Sequence, residues 1–328
     1  MTTFKPPHFP VGGLSRRQAL TAAALLPAAA TMAPMLSPTR ATAQTTPAQA
    51  APAGPGVPPF YRVALGGFEV TALLAGSRLL ENPKETFGTN ASDEDFAAAA
   101  AENFLPADKS RNFFTPVLVN TGTDLVLFDA GLAPEGIVTA LAAAGVSPEQ
   151  ISAVVLTHMH GDHIGGLAAE DGTPTFANAR YITGRAEYDH WAGQTNEGFD
   201  AKVRPLAEKM TFLEDGGEAM TGITALLAPG HTPGHMIYHL ESGGQRLALT
   251  ADTANHYVFS LQYPDWEVRF DADKAGAAAS RRKVFGMIAT DRIPFIGYHM
   301  PFPAFGYAEP KGDGFRFVPH SYQLMLQG

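Results

Sequence analysis

One six-residue segment of this chain concentrates side chains that bind metal ions. From His158 to His163 the sequence reads H-M-H-G-D-H, which places three imidazoles and one carboxylate in the pattern H-x-H-x-D-H. Imidazole nitrogens and carboxylate oxygens are the donors that Zn²⁺ and similar divalent ions take in proteins. Ordinary core packing gives no reason for such a pattern. The segment therefore predicts a metal site.

The residues around this motif indicate how it is positioned. The apolar run 153–156 (A-V-V-L) predicts a buried strand, and the glycines at 161 and 165–166 predict a loop after it. In an extended segment, residues two apart point the same way, so His158 and His160 can bind one ion together. Asp162 and His163 are expected to project around the following bend.

Composition narrows the chemistry. With 328 residues, 45% of them hydrophobic, a sizeable core is expected. The net charge of −9 disfavours nucleic acid or an anionic membrane as the main partner. The chain has no cysteine, which excludes disulfides, thiolate ligands and a cysteine nucleophile. Any metal must therefore be held by His, Asp, Glu and water.

The N-terminus predicts export. The pair Arg16-Arg17 precedes an apolar run at 19–35, and 41–43 (A-T-A) offers a cleavage site, as in a twin-arginine signal peptide. Pro27 and Pro34 interrupt the run, so it does not predict a membrane span. We expect a signal peptide at 1–43, a flexible Pro/Ala-rich linker at 44–59, a domain at 60–328, and a periplasmic or secreted location. A disordered tail with a chance arginine pair is the alternative.

The remaining chain mixes strand pairs with separate helices, which favours a layered α/β fold over a doubly wound sheet. Segments 81–112 and 192–210 are polar and predict loops. Strands are expected at 153–156, 223–227, 236–240 and 246–250, with hairpins at 61–65/69–74 and 115–120/125–128, helices at 134–144 and 271–290, and a last core strand at 293–297.

Three more donors follow predicted strands: His231, Asp252 and His299. Together with the opening motif they make five histidines and two aspartates. One ion needs about four ligands, so seven donors suit two ions. Two ions about 3.5–4 Å apart that share a hydroxide form a recognised hydrolytic device.

In combination, these motifs make the chain resemble the metallo-β-lactamase-fold hydrolases over residues 60–328. The resemblance implies a four-layer αβ/βα sandwich, with two mixed β-sheets flanked by helices. It also implies that one ion is held by His158, His160 and His231, that the other is held by Asp162, His163 and His299, and that Asp252 bridges both.

Within that superfamily the chain looks most like the methyl parathion hydrolase branch, through segments such as 118–122 (L-V-N-T-G) and 191–196 (W-A-G-Q-T-N). Two departures matter. True β-lactamases of this fold lack the bridging aspartate, so Asp252 argues against antibiotic hydrolysis. Acyl-homoserine lactonases usually carry a tyrosine about three residues after that aspartate, where this chain has Asn255, and its nearest tyrosine is Tyr257.

We therefore predict a hydrolase with two divalent ions, zinc with manganese or iron as alternatives, acting on small esters, lactones or organophosphate triesters. A hydroxide bridging the ions would attack, and Asp162 and Asp252 would be the catalytic residues that orient it and move its proton. No nucleic acid or membrane span is expected, and a homodimer stays open. The alternative is an iron-dependent, persulfide-dioxygenase-like oxidoreductase on the same fold. Trp191, Tyr257 and Phe302 are expected to line the substrate pocket, and His235 to support the ligands from behind.

Overall fold

The computed structural model describes residues 58–321, which form two seven-stranded β-sheets, a two-stranded ribbon and six α-helices. The predicted signal peptide, residues 44–57 of the predicted linker and the last seven residues lie outside this range. Within the described range, no helix combines the length and apolarity needed to cross a membrane.

The first sheet changes from antiparallel to parallel along its width. Its first four strands pair antiparallel, and its last four pair parallel. In order across the sheet the strands are β1 (Phe60–Leu65), β2 (Phe68–Leu73), β5 (Val117–Asn120), β6 (Leu125–Phe128), β7 (Ala153–Leu156), β8 (Arg180–Gly184) and β9 (Met210–Leu213).

The second sheet is antiparallel except for one parallel pair, β13 (Gln245–Ala251) with β14 (Phe295–Gly297). A long crossover containing helix α6 (Lys274–Asp291) joins that pair. Its strands are, in order, β10 (Glu218–Met220), β11 (Ile223–Leu227), β12 (Met236–Ser242), β13 (Gln245–Ala251), β14 (Phe295–Gly297), β15 (Phe305–Lys311) and β16 (Gly314–Pro319).

The two sheets pack face to face and helices cover their outer faces. Between the sheets, the ring of Phe128 packs edge-on against Tyr238 with centroids 5.1 Å apart. In β7, Val155 belongs to this central core, whereas Val154 packs in the outer core under α2 (Pro134–Ala143). A strand buried on both faces needs an unbroken apolar run, which explains the sequence of β7. The predicted layered α/β sandwich is confirmed.

Helix α6 (Lys274–Asp291) closes the other outer face, where Phe285 packs against Phe295 with centroids 5.2 Å apart. The helix begins three residues later than predicted because the Asp273 side chain accepts a hydrogen bond from Gly276 N and so caps it. The short helices α3 (Gly161–Ile164), α4 (Arg185–Ala192) and α5 (Glu197–Lys202) follow strands of the first sheet.

Three sequence predictions about regular structure were wrong. Segment 81–112 holds helix α1 (Asp93–Glu102), which is capped by the Ser92 side chain accepting from Asp95 N. The segment then enters strand β4 (Lys109–Phe114), and β4 pairs with β3 (Gly76–Glu81) to form the two-stranded ribbon. Segment 192–210 holds α5. Strand β14 is not the last strand, because the β15–β16 hairpin follows it. In both segments that were assigned as loops, surface polarity hid short elements that bury only one narrow face.

Candidate metal centre

All seven donors predicted from the sequence meet at one edge of the sandwich, where four strands end. β7 ends just before His158, β11 before the loop that carries His231, and β13 immediately before Asp252. The parallel pairing of β13 with β14 sets Ala251 beside Gly297, so His299 follows on the same side as Asp252. Residues far apart in sequence are thus brought together by the sheet topology.

Three imidazole nitrogens converge in a first group. His160 Nδ1 lies 3.1 Å from His158 Nε2 and 2.9 Å from His231 Nε2. His158 and His231 are buried, and His160 is partly buried. The three ligand atoms lie within 4.8 Å of one another, close enough to share one ion.

A second group lies beside the first. Its members are Asp162, His163 and His299, whose donor atoms also lie within 4.8 Å of one another. His299 Nε2 is 3.3 Å from Asp162 Oδ2, and His163 Nε2 is 3.9 Å from the same oxygen. This group therefore mixes two imidazoles with a carboxylate.

Asp252 lies between the two groups. Its Oδ2 is 3.3 Å from His231 Nε2 of the first group and 3.1 Å from His299 Nε2 of the second. Its Oδ1 is 3.2 Å from His163 Nε2, yet neither of these two buried atoms has a hydrogen-bond partner among the described residues. Buried polar atoms rarely stay unpaired, so the arrangement fits bound cations between the groups.

The other nitrogen of most donor histidines is held by a neighbouring oxygen. His163 Nδ1 lies 2.8 Å from Asp129 Oδ2, and His231 Nδ1 lies 2.8 Å from Asp271 Oδ1. His299 Nδ1–H donates to a backbone carbonyl, that of Phe113, at 2.8 Å. Such partners fix the ring and leave the opposite nitrogen for a metal.

Asp129 was missed by the sequence analysis. It follows β6 with a φ of 61°, and its carboxylate accepts from Thr157 N at 2.9 Å and Thr157 Oγ1 at 2.8 Å as well as from His163. It therefore ties the end of β6 to the start of the histidine motif. The sequence did contain the feature that pointed to Asp252, because Asp129 is also an acidic residue directly after an apolar run.

Asp271 was missed as well. The buried guanidinium of Arg281 in α6 pairs with its second oxygen, while the first faces His231. Arg281 also donates to the backbone carbonyls of Thr253 and Pro264. Helix α6 thereby holds both the orientation of His231 and the loop that follows Asp252. Neither residue stands in a motif, so the sequence carried no signal for this link.

Glu187 is a third missed residue and is fully buried in α4. Its Oε1 accepts from Met159 N at 3.0 Å, and its Oε2 accepts from Gly234 N at 3.0 Å and Thr232 Oγ1 at 2.7 Å. A Cβ at Gly234 would lie 2.1 Å from the Glu187 backbone nitrogen, so only glycine permits this approach. One carboxylate thus joins the two loops that carry the first group.

The surroundings lower the pKa of two histidines of the first group, His158 and His160, and raise the pKa of both histidines of the second. Burial, together with the nearby His231, lowers the pKa of His160 to about 4. Burial also lowers the pKa of His299, but Asp252 and Asp162 outweigh it and raise the value to about 10. The same competition, with Asp252 and Asp129, raises the pKa of His163 well above its usual value. For Asp162, burial raises the pKa, but His163 and His299 lower it to about 2.

His235 lies behind the donors, next to the bridging aspartate. Its Nε2 accepts from Asp252 N at 3.1 Å, and its Nδ1 lies 3.2 Å from Ala228 O. Asn255, at the position of the lactonase tyrosine, donates from Nδ2 to Asp252 Oδ2 at 2.8 Å. Both side chains thus hold the bridging aspartate.

The three predicted pocket residues fall in different places. Trp191 donates from Nε1 to Glu187 Oε1 at 2.7 Å and meets the ring of His160 edge-on, with centroids 5.8 Å apart. Tyr257 lines an apolar cavity on the far side of His299. Phe302 is half-buried, and a cis peptide links it to Pro303. Their assignment to the substrate pocket stays a prediction.

A cavity of about 290 Å³ opens directly over the donors. Asp162, 24% exposed at its side chain, borders it together with His160 and Asp252. Its outer wall is largely apolar, with the half-exposed Leu132 and Phe270 at the rim. Arg78, Leu80, Asn112 and Phe114 also line the cavity.

Sequence comparisons point to one family. A model of the metallo-β-lactamase superfamily matches residues 115–291. The chain is 29% identical over 147 residues to an N-acyl homoserine lactonase of Bacillus cereus, covering 45% of this chain and 56% of the lactonase. It is 31% identical over 140 residues to the probable metallo-hydrolase YybB of Bacillus subtilis (strain 168), covering 41% and 59%. The matches thus span less than two thirds of these relatives.

Two solved structures are similar over most of the described chain. AidC, a dizinc quorum-quenching lactonase in complex with a product, superposes with a TM-score of 0.74 at 26% identity, covering 80% of this chain and 97% of AidC. The hydrolase AbOPH of the β-lactamase superfamily gives a TM-score of 0.74 at 23% identity, covering 81% and 98%, a likeness that concerns the fold alone. Placement in the methyl parathion hydrolase branch stays a prediction.

Proposed function

Because this chain belongs to the metallo-β-lactamase superfamily, we propose that it is a hydrolase that holds two divalent metal ions, zinc, and cleaves carboxylic ester bonds, including those of lactones. The observation that carries the proposal is the convergence of seven donors on two adjacent positions. The similarity to a dizinc lactonase at 26% identity supports both the ions and the substrate class.

The proposed ligands follow the two groups. One ion would be held by His158, His160 and His231, and the other by Asp162, His163 and His299. Asp252 would be the ligand that the two ions share. The two unpaired buried atoms, His163 Nε2 and Asp252 Oδ1, support this assignment, because a bound cation would pair both.

The metal ions and the side chains would have different roles in the reaction. Two bound divalent ions supply Lewis acidity and lower the pKa of water toward neutrality. Asp162 borders the cavity, and its pKa of about 2 keeps it a carboxylate at neutral pH, so it is placed to accept a proton from attacking water and return it to the leaving alcohol. Asn255 and His235 orient Asp252 from behind.

The cavity supports a small substrate with an apolar part. Leu80, Phe114 and Phe270 offer apolar surface, and Arg78 and Asn112 offer hydrogen-bond donors for a carbonyl. Lactones are the substrates that the names of the similar lactonases indicate. Phosphotriesters remain a second substrate class to be tested, and the relatives named above give no support to the iron oxidoreductase alternative.

The test is a substrate panel on zinc-loaded and metal-stripped protein. Aliphatic lactones, p-nitrophenyl esters and the phosphotriester paraoxon would be assayed alongside metal content by mass spectrometry. We expect two zinc ions per chain, hydrolysis of lactones and aryl esters, and loss of both activities on metal removal. Protein purified without added metal that carries one iron per chain and consumes oxygen would overturn the proposal in favour of the oxidoreductase.

We also propose that the enzyme acts outside the cytoplasm, which the arginine pair, apolar run and cleavage site of residues 15–43 support. A reporter fused to residues 1–59 should reach the periplasm, and Arg16→Lys/Arg17→Lys should retain it in the cytoplasm. Export of the double variant at the same level would contradict the twin-arginine assignment. The homodimer stays open to measurement by light scattering.

A further inference from the structure

The β3–β4 ribbon has a cavity on each face. Side chains alternate across a strand, so Arg78, Leu80 and Asn112 face the cavity over the metal centre, while Leu79 and Arg111 face a second cavity. This second cavity measures about 330 Å³. The ribbon separates the two volumes, and His299 is a wall of both.

The second cavity is lined mainly by apolar side chains. Leu79 and Leu105 close it from the ribbon side and from the turn after α1, and Tyr257 and Phe259 close it from the loop after β13. Its volume lies within the range of small-molecule sites, of roughly 300–1,000 Å³. Such sites combine an apolar lining with a few placed polar groups that orient the ligand.

His256 supplies one such polar group. It is 5% exposed, lines the cavity, and its ring stacks on Phe259 with centroids 4.4 Å apart. Its Nδ1 accepts the backbone N–H groups of Val258 and Phe259, each at 3.1 Å. Since Nδ1 is an acceptor, the ring proton lies on Nε2.

None of the described residues, 58–321, accepts a hydrogen bond from that Nε2–H donor. Burial and the charge of His299 lower the pKa of His256 to about 3, so the ring stays neutral and keeps one donor. His256 lines the cavity, so a carbonyl oxygen bound there would accept from this donor in place of water.

We propose that the second cavity binds a small apolar molecule that carries one carbonyl group, with His256 Nε2–H donating to that carbonyl. The binding site is distinct from the substrate cavity. It is linked to the metal centre through the ribbon, because Phe113 lines its wall and the Phe113 backbone carbonyl accepts from His299 Nδ1 at 2.8 Å. A ligand that displaces Phe113 therefore reorients His299 and changes the rate of hydrolysis.

The binding experiment uses the zinc-loaded full chain and the naphthyl ketone prodan, whose emission reports polarity and hydrogen bonding and which hydrolases do not cleave. Saturable binding with blue-shifted emission is expected. His256→Phe keeps the stacked ring and removes the donor, so binding should weaken about tenfold. Leu79→Trp fills the cavity and should abolish binding of the probe.

Arg78→Trp is the matched control, since it lies on the same strand but faces the substrate cavity. It should leave prodan binding unchanged and raise the KM of an aryl ester. If His256→Phe does not fold, Leu79→Trp and Arg78→Trp still decide the question. Absence of binding in the wild type, or binding lost in Arg78→Trp and kept in Leu79→Trp, would overturn the proposal.

Kinetics separate this site from the substrate site. With prodan bound, kcat for the aryl ester should change while KM stays constant, and Leu79→Trp should remove the effect. Competitive inhibition would place prodan in the substrate cavity and sink the proposal. The fluorescence measurement does not depend on catalysis, so failure of the proposed hydrolase activity and failure of this site would be told apart.

Discussion

Both donor groups contain histidines, but the histidines of the two groups differ in charge. In the first group, burial lowers the pKa of both His158 and His160, so these imidazoles are neutral and ready to bind a cation at neutral pH. In the second, the pKa of both His163 and His299 is raised, so they carry protons in the metal-free protein.

The difference comes from the distribution of carboxylates. Asp129, Asp162 and Asp252 surround the second group, whereas the first group consists mainly of imidazoles packed against one another. His231 is intermediate: it belongs to the first group, yet Asp252 and Asp271 raise its pKa against the effect of burial. The neighbouring charges, rather than the residue type, therefore decide whether a histidine must lose a proton before it binds an ion. Since His158 and His160 need not lose one, we expect the first group to bind its metal ion before the second.

The largest effect should come from the residue that the groups share. Asp252→Ala removes the bridge and leaves the histidines of both groups without their common carboxylate. Since bound metals contribute several kcal/mol to transition-state stabilisation, kcat/KM should fall by about a thousandfold or more. Metal analysis should show fewer than two ions per chain. A variant with two ions and unchanged ester hydrolysis would contradict the bridging role.

Removing one donor from a single group should be next in size. His299→Ala should lose the second ion and keep the first, whereas His231→Ala should weaken the ion that loads first. Hydrolysis should fall by about a hundredfold in each, a share of the metal contribution. Cobalt titrations followed by visible absorption would report each group separately. Identical titration curves for the two variants would show that the two groups do not differ in metal binding, contrary to this prediction.

Residues behind the donors should act on one group each, with smaller effects. Glu187→Gln should weaken metal binding by the first group and Asp129→Asn by the second, each by about 10–100-fold, as for other residues that orient ligands. Each variant should leave the affinity of the other group unchanged in competitive titrations with a chelator. Glu208→Gln, an exposed change in the segment after α5, is the matched control and should have no effect.

The smallest effect concerns pH and stability without metal. The pKa of His299 is raised to about 10 in the folded protein, against about 6.5 for an unperturbed histidine. Its stabilising contribution is therefore complete below about pH 6.5 and is lost as pH rises through about 10. Thermal melts with a chelator should show a Tm that falls across this range, and His299→Gln should flatten the fall. A Tm that rises toward pH 10 would contradict the assigned direction.

The donors could be predicted from the sequence because each donor-bearing segment follows an apolar run. Such a run forms a buried strand, and the residues just after it lie at the edge of the sheet. Asp129 obeys the same rule after β6 and could have been found. Glu187 and Asp271 could not, because each lies in a segment without a motif and gains its role only when α4 and α6 pack against the sheets. The ribbon was missed because its charged residues hide the alternation that separates its two faces.

His299 lies late in the chain, between β14 and the β15–β16 hairpin, and this position has a consequence for biosynthesis. The first group needs only the chain up to residue 231, whereas the second lacks a donor until residue 299 has been added, and β14 must also pair with β13 across the long crossover. A nascent or truncated chain that ends before this point can assemble at most half of the centre. Metal occupancy of the second group would therefore report that the chain has been made beyond residue 299 and that β14 has paired with β13.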